Sequence, residues 1–312
     1  MTHPTSTVAV VTATIGRDDL LKAIKSVQAQ TYPCKHYIFV DGEQFHDKVK
    51  NLLKDDYPDV VVTYLPMNTG ANKMYNSYIN AIAPFLVKED IICYLDDDNW
   101  YDKEHVESLV SYMDKYQADY GYSLRYFVNG NDIWKDNTES LGFWYINPKD
   151  LVPSAFVWKN NTYQVPHGID NYPNAPYLID VNCYAIRRHL AIDLAKSWAA
   201  IGLSNDRVIA NILIQYNFKG ICTSKRTVYY QYAIPFNINL ELMADIVGLD
   251  YPFTISQEEI SQLKLSLSIH TNNHAIEPYY HQKYGTDHLP WERPTLREHG
   301  TLTPIPDLYD KE

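Results

Sequence analysis

The sequence has no CxxC pair, no long apolar run and no excess of positive charge. Its four cysteines, Cys34, Cys93, Cys183 and Cys222, are scattered among mostly apolar neighbours. That pattern argues against a disulfide framework or zinc site and for buried thiols in a reducing compartment. No stretch approaches the roughly 18 apolar residues of a membrane span, and the early run Val8 to Val11 is too short for a signal-peptide core. A cytoplasmic protein is expected, with at most peripheral contact at the inner face of a membrane. The formal net charge is -11. Nucleic acid is excluded as a partner, because phosphate backbones are bound by clustered Lys and Arg. For the same reason an anionic ligand would need a cation beside it.

Tyrosine, by contrast, is abundant, with 27 of 312 residues. Its ring offers an apolar face and a polar tip, which suits polar ring-shaped ligands as well as core edges. The chain is long enough for one large domain plus an appendage. Its opening alternates apolar runs with helical periodicity. "VAVVTATIGR" reads as a buried strand, and the segment after it places Leu20, Leu21, Ile24 and Val27 at helical spacing. "HYIFVDG", "VVVTYLP" and "IICYLDDD" read as further strands, and "FHDKVKNLLKDDYP" and "GANKMYNSYINAIAPFL" as the helices between them. This alternation predicts βαβ units, a mostly parallel mixed sheet flanked by helices, and a ligand at the strand ends. After residue 100 the pattern loosens. "DKEHVESLVSYMDKY" is an amphipathic helix, and residues 120 to 180 promise short strands at best. A strand leads into a helix from "VNCYAIRRHL", "SNDRVIANILIQYNF" is another helix, and "TVYYQYAI" a late strand. Beyond about residue 235 only one helix is expected, opened by a capping box at Ser256 and Glu259. The polar, Pro-rich end should wrap or fray.

Three consecutive aspartates, Asp96, Asp97 and Asp98, close the fourth strand. Like charges so close raise each other's pKa unless a cation intervenes, and hard oxygen ligands suit Mg²⁺ or Mn²⁺. In an extended chain Asp96 and Asp98 share one side, with Asp97 turned towards the fold or solvent. The alternative is an acidic turn that caps the next helix.

These segments, in this order, resemble the GT-A glycosyltransferases, and in particular glycosyltransferase family 2, over roughly residues 7 to 232. The resemblance rests on "VVTATIGRDDLLKAIKSVQAQTYP", "YIFVDG", "NTGANKMYN", "YLDDDNWYDKEHVESL" and "SNDRVIANIL". It implies a GT-A domain over 1–235, with a nucleotide-binding half to about 100 and an acceptor half from about 101. Residues 236–312 would form a helical extension and tail. It implies a metal-dependent, inverting transfer from a nucleotide-sugar, a UDP-sugar by preference, to a saccharide or glycolipid acceptor in cell-surface glycan synthesis.

By the same resemblance Thr12, Ala13, Thr14 and Arg17 would line the nucleotide, and Asp41 would bind the uracil or ribose. Gly70 and Asn76 match the third segment. Tyr75 stands where the family usually has arginine, so Lys73 is a substitute cation. Asp96 and Asp98 match the metal pair, and Asp96 and Asp97 join the donor-binding set. Asn99 stands where a further acid is common, and Trp100 is either a lid on the donor sugar or a packed indole. Asp206 matches the catalytic base, held at a helix start by Ser204, with Asp180 in reserve. Trp144, Trp158 and Tyr177 are acceptor-platform candidates within an aromatic middle that also contains Phe143, Tyr145, Tyr163 and Tyr172. His167, His270 and His274 are candidate extra metal ligands. Arg187 and Arg188 read as a solvated helix face. A non-catalytic sugar- or nucleotide-binding protein of the same fold is the alternative. A haloacid-dehalogenase phosphatase fits less well, because its Asp-x-Asp follows the first strand, and a sugar nucleotidyltransferase lacks its Gly-rich signature here.

Overall fold

The computed structural model describes residues 6–54, 56–136, 151–168, 178–202, 204–232, 256–270, 295–298 and 301–304. The first half is built from β1 (Val8–Thr14), α1 (Leu20–Gln28), β2 (Lys35–Asp41), α2 (His46–Leu53), β3 (Val61–Leu65), α3 (Ser77–Leu86) and β4 (Ile91–Tyr94). β1 lies between β2 and β4, parallel to both, and β3 pairs parallel to β2. The apolar run of β1 follows from that position, since a strand with neighbours on both sides and helices on both faces has no wet side. α1 turns Leu20, Ala23, Ile24 and Val27 inward.

The second half adds β5 (Trp100–Tyr101), α4 (His105–Tyr116), β6 (Tyr120–Asn129), β7 (Asp132–Lys135), β10 (Tyr184–Arg187), α5 (Arg188–Asp193), α6 (Ala195–Ala200), α7 (Asn205–Gln215) and β11 (Gly220–Gln231). With β12 (Thr295–Glu298) and β13 (Thr301–Pro304) at one edge, the sheet order runs β13-β12-β11-β6-β10-β4-β1-β2-β3. β10 is antiparallel to both β4 and β6, while β11 returns parallel to β6. The parallel nucleotide half is thus joined through one reversed strand to the later half, and the strand ends of β1, β2 and β4 open onto the same edge.

Several expectations need correction. Residues 120 to 180 do not hold short strands alone. β6 is 10 residues long, and β8 (Leu151–Trp158) pairs with β9 (Asn161–Gly168) as a separate hairpin. The late strand begins at Gly220, not Thr227, with register shifts that hide its alternation. Helix α3 starts at Ser77 rather than Gly70, because Asn72, Lys73 and Tyr75 have left-handed backbones that no α-helix accepts. Within the tail, β12 (Thr295–Glu298) and β13 (Thr301–Pro304) form a hairpin that extends the main sheet from β11.

The helix of the extension, α8 (Gln257–His270), opens with the expected reciprocal cap. Glu259 N–H donates to Ser256 Oγ at 3.1 Å and Ser256 N–H to Glu259 Oε2 at 2.8 Å. α8 packs on β8, where Val157 N–H donates to Ser266 Oγ at 2.8 Å. Cys93, Cys183 and Cys222 are buried free thiols, and Cys34 is partly buried. Among the described residues no helix is long and apolar enough to cross a membrane.

Candidate active site

At the end of β2, Asp41 is buried and its carboxylate grips the loop after β3. Its Oδ1 accepts from the Thr69 backbone N–H and hydroxyl, each at 2.7 Å, and its Oδ2 from the Gly70 N–H at 2.7 Å. Only glycine fits at 70, since a Cβ there would lie 2.5 Å from the Tyr75 carbonyl oxygen and 2.8 Å from Asp41 Oδ2. The fully buried Thr12 is spent on His36, 2.9 Å away, so its side chain is turned into the fold. Ala13 lies on β1 beside it. Thr14 donates to Asp97 Oδ2 at 2.6 Å and accepts from the Gly16 N–H at 2.9 Å.

The chain does not stay extended through the aspartates. β4 ends at Tyr94, and Asn99 N–H donates to the Asp96 carbonyl at 3.2 Å, closing a turn. This overturns the strict alternation expected for the three acids. Asp97 and Asp98 share Arg17, whose Nη1 lies 3.0 Å from Asp97 Oδ1 and 2.6 Å from Asp98 Oδ2. Asp96 is turned elsewhere and is held by amides. Asn76 Nδ2 donates to its Oδ1 at 2.7 Å and Asn182 Nδ2 to its Oδ2 at 3.0 Å, while its own N–H donates to Asn182 Oδ1 at 2.6 Å. Burial, then the charges of Asp98 and Asp180, push the Asp96 carboxyl up to about 7 despite those bonds.

The second half contributes an arginine and three acids. Arg125 on β6 is fully buried between Asp136, at 2.8 Å, and Asp180, and Tyr230 lies 4.3 Å below its guanidinium. Asp180 caps the turn Val181–Cys183, accepting from Asn182 N–H at 2.9 Å and Asn182 Nδ2 at 2.8 Å. Both its oxygens are therefore committed, which weakens it as the reserve base. Asp206 stands in the first turn of α7. Its Oδ1 accepts from the Arg207 N–H at 2.7 Å. Burial, then the Asp180 charge, push its carboxyl up to about 6. Asp206 is connected to Asp96 by hydrogen bonds, since its neighbour Asn205 donates to Asn76 at 3.0 Å and Asn76 donates to Asp96 at 2.7 Å. Ser204 does not cap α7. Its backbone is left-handed, with φ 65°, and its side chain makes no capping bond.

Asp96 and Asp98 offer hard oxygens. The hydrogen-bond partners of Asp96 are neutral amides, and the charges that raise its carboxyl are those of Asp98 and Asp180, so a divalent cation fits its surroundings. Among the described residues no group of three or more His, Cys, Asp or Glu is arranged around a metal. Mg²⁺-type sites need only one or two carboxylates when substrate phosphates complete the shell.

Other expected residues fall differently. Lys73 and Tyr75 are exposed on the left-handed loop before α3. Asn99 is buried, and its Oδ1 accepts from the Gln231 N–H at 2.7 Å, which ties it to β11. Trp100 is a packed indole, stacked on Tyr229 with ring centroids 5.5 Å apart and covered by the Lys22 ammonium. Trp158 is buried in its hairpin, so it is no open sugar platform, and Tyr163 stacks on Phe156. Trp144 and Tyr177 lie outside the described residues, as do Phe143, Tyr145, Tyr172 and His274 and the side chains of His167 and His270. Arg187 and Arg188 are not a solvated face. Arg187 pairs with Asp114 at 2.9 Å, and Arg188 Nε donates at 2.9 Å to the Pro84 carbonyl near the end of α3.

Sequence reasoning missed Arg125, Asp136 and Asn182. One signal was available: a lone arginine inside the apolar strand "YGYSLRYFVN" demands buried acids.

The model of glycosyl transferase family 2 matches residues 8–188. The chain belongs to this family. The family 2 match spans Asp41, the aspartate turn and Asp180, and ends before Asp206. Among solved structures, GalNAc-T7 with UDP, GalNAc and Mn²⁺ is similar with a TM-score of 0.51 at 18% identity, over 74% of this chain and 44% of its own. S. aureus TarS, residues 1–349, is similar with a TM-score of 0.48 at 14% identity, over 85% of this chain and 71% of its own. No curated protein matches the chain. The fold of this family 2 member is GT-A, and the protein is a glycosyltransferase.

Proposed function

We propose that the protein moves a sugar from a UDP-sugar to a hydroxyl of a saccharide or glycolipid acceptor in cell-surface glycan synthesis, inverting the anomeric carbon. What supports this best is the meeting of two differently held acids at one place. Asp96 sits at the donor strand end among amides, and Asp206 opens α7 with its carboxyl raised by burial and by Asp180. Uridine is favoured because GalNAc-T7, which shares the fold, was solved with UDP.

In this reading the Asp41 loop and the end of β1 receive the nucleoside. Asp96 and Asp98 would hold Mn²⁺ or Mg²⁺, which when bound offsets the negative charge of the diphosphate. Asp206 accepts the proton of the acceptor hydroxyl as its oxygen attacks the anomeric carbon. The bond from that carbon to the diphosphate oxygen breaks, and its electron pair leaves with UDP. Asp206 ends protonated. Its raised pKa makes it a stronger base than an ordinary carboxylate, as this role needs. The region beyond residue 235, whose α8 buries Leu263 and Leu267, is read as a cover for the acceptor half.

The test is UDP release from a panel of UDP-sugars with and without Mn²⁺. Release from one donor that stops in excess EDTA is expected. Release from none of them, or an undiminished rate in EDTA, would count against the reading.

A further inference from the structure

Asn205, next to Asp206, is buried and directs both N–H bonds of its amide across to the start of α3 and the residue before it. Its Nδ2 donates to Asn76 Oδ1 at 3.0 Å and to Ser77 Oγ at 2.7 Å. The directions are fixed by chemistry. Ser77 Oγ gives its own proton to the Ile201 carbonyl, 2.8 Å away, so it must accept from Asn205. Asn76 gives Nδ2 to the Asp96 carboxylate, so its oxygen must face Asn205. The result is a one-way chain of donors from the start of α7 to the carboxylate at the end of β4.

Backbone packing follows the same line. A Cβ on Gly202 would lie 1.8 Å from the Lys73 carbonyl oxygen, so the two loops touch with no room for a side chain. Lys73 itself has φ 66°, and Asn72 and Tyr75 share that left-handed region, which for such residues is held only by its surroundings.

We infer that Asn205 is a positioning residue that, through Asn76, sets the Asp206 carboxylate in place relative to Asp96. The inference rests on the reading of Asp206 as the base. The loop of residues 69–77 is then a shared brace. Gly70 fastens it to Asp41 at the nucleotide end, Asn76 to Asp96, and Asn205 with Gly202 to the helix that carries the base. A donor seated against Asp41 and Asp96 meets an already placed α7. Loss of the Asn205 link should leave donor binding intact and harm the step that needs Asp206.

The experiment compares Asn205→Ala, Asn76→Ala and the double variant. UDP release at saturating donor gives kcat, titration of UDP in the presence of Mn²⁺ gives Kd, and thermal melting reports the fold. Asn205→Ala should lower kcat by roughly 10-fold, the scale of a misplaced catalytic group, with the Kd for UDP within about twofold of the parent. Added to Asn76→Ala, it should lower kcat no further, because the link is already cut. Asn205→Asp keeps the shape and loses both donors, so it should fall at least as far, and it carries the test if the alanine variant does not fold. A kcat within about twofold of the parent, or the same 10-fold loss in the Asn76→Ala background, would overturn the inference. So would a drop in melting temperature with unchanged kcat. If the parent binds UDP and releases none from any donor, the proposed reaction fails instead. The link is then judged by the melting temperatures alone, where strictly additive changes would overturn it.

Discussion

In the first half of the sheet, Asp41 and Asp96 are held by backbone N–H groups and side-chain amides. In the second half, Asp136 and Asp180 are held by the fully buried Arg125. The two devices differ in what they leave behind. Neutral donors fix a carboxylate and keep its charge available, so a cation and a diphosphate can still be drawn to it. An arginine fixes a carboxylate by binding it with a charged donor, although neighbouring acids still feel the Asp180 charge. Asp136 and Asp180 are therefore bound as framework, and in the proposed reading the chemistry of the second half falls to Asp206, which has no cation bonded to it among the described residues. Arg17 stands between the two cases. It pairs with Asp97 and Asp98, yet its side chain is 48% exposed, so water screens the pairing.

The contrast is broken most directly at the two arginines. Arg125→Ala leaves two acids buried without their shared partner and should cost about 3–5 kcal/mol in urea unfolding. Arg17→Ala should cost under about 1 kcal/mol by the same measurement, because its pairs are partly wet. Equal costs would end the distinction between framework and available acids. The next effect is on ligand rather than fold. Asp98→Ala should weaken Mn²⁺-assisted UDP binding by more than about 100-fold in a calorimetric titration, with little change in melting temperature. Retained binding would remove Asp98 from the donor site. The smallest effect belongs to Ser256→Ala. It deletes one reciprocal cap of α8 and should cost about 0.5–2 kcal/mol while UDP affinity stays level. A change in UDP affinity would tie the extension to the donor half.

The nucleotide half was legible because a strand covered on both faces must be apolar along its length, and β1 and β4 are. The later half was harder for physical reasons. β11 carries register shifts, which spoil a period of two, and its alternation surfaces only near its end. The loop before α3 carries helix-compatible residues in left-handed backbone, and nothing local in "GANKMYN" announces that. The contacts that impose it come from Asp41 and Gly202, far away in sequence. The same distance hid the partners of Asp96. Asp96 was a site candidate from the aspartate run alone, whereas its hydrogen bonds to Asn76 and Asn182 became visible only once β4, β10 and α3 were brought together. Asp97, expected to face the fold or solvent, faces the fold, where it ties β1 to the turn through Thr14.

In the proposed reading Asp206, rather than the arginine-bound Asp136 or Asp180, takes the proton, and its pH profile tests this most directly. Burial and the Asp180 charge hold its carboxyl at about 6 in the folded protein. It is protonated and inactive as a base below that pH, so UDP release at saturating donor should rise as pH climbs through about 6 and then level off. Asp206→Asn should lower the rate by about 10²–10⁴ and remove that rising limb, with UDP binding in Mn²⁺ unchanged. Stability should follow the opposite sign. The unfolded chain ionises near the ordinary carboxylate value while the folded one keeps its proton to about 6. The parent therefore loses stability as pH rises across that window, and the variant loses less, keeping only the share of other raised acids such as Asp96. A variant that keeps both the rate and the rising limb would contradict the account.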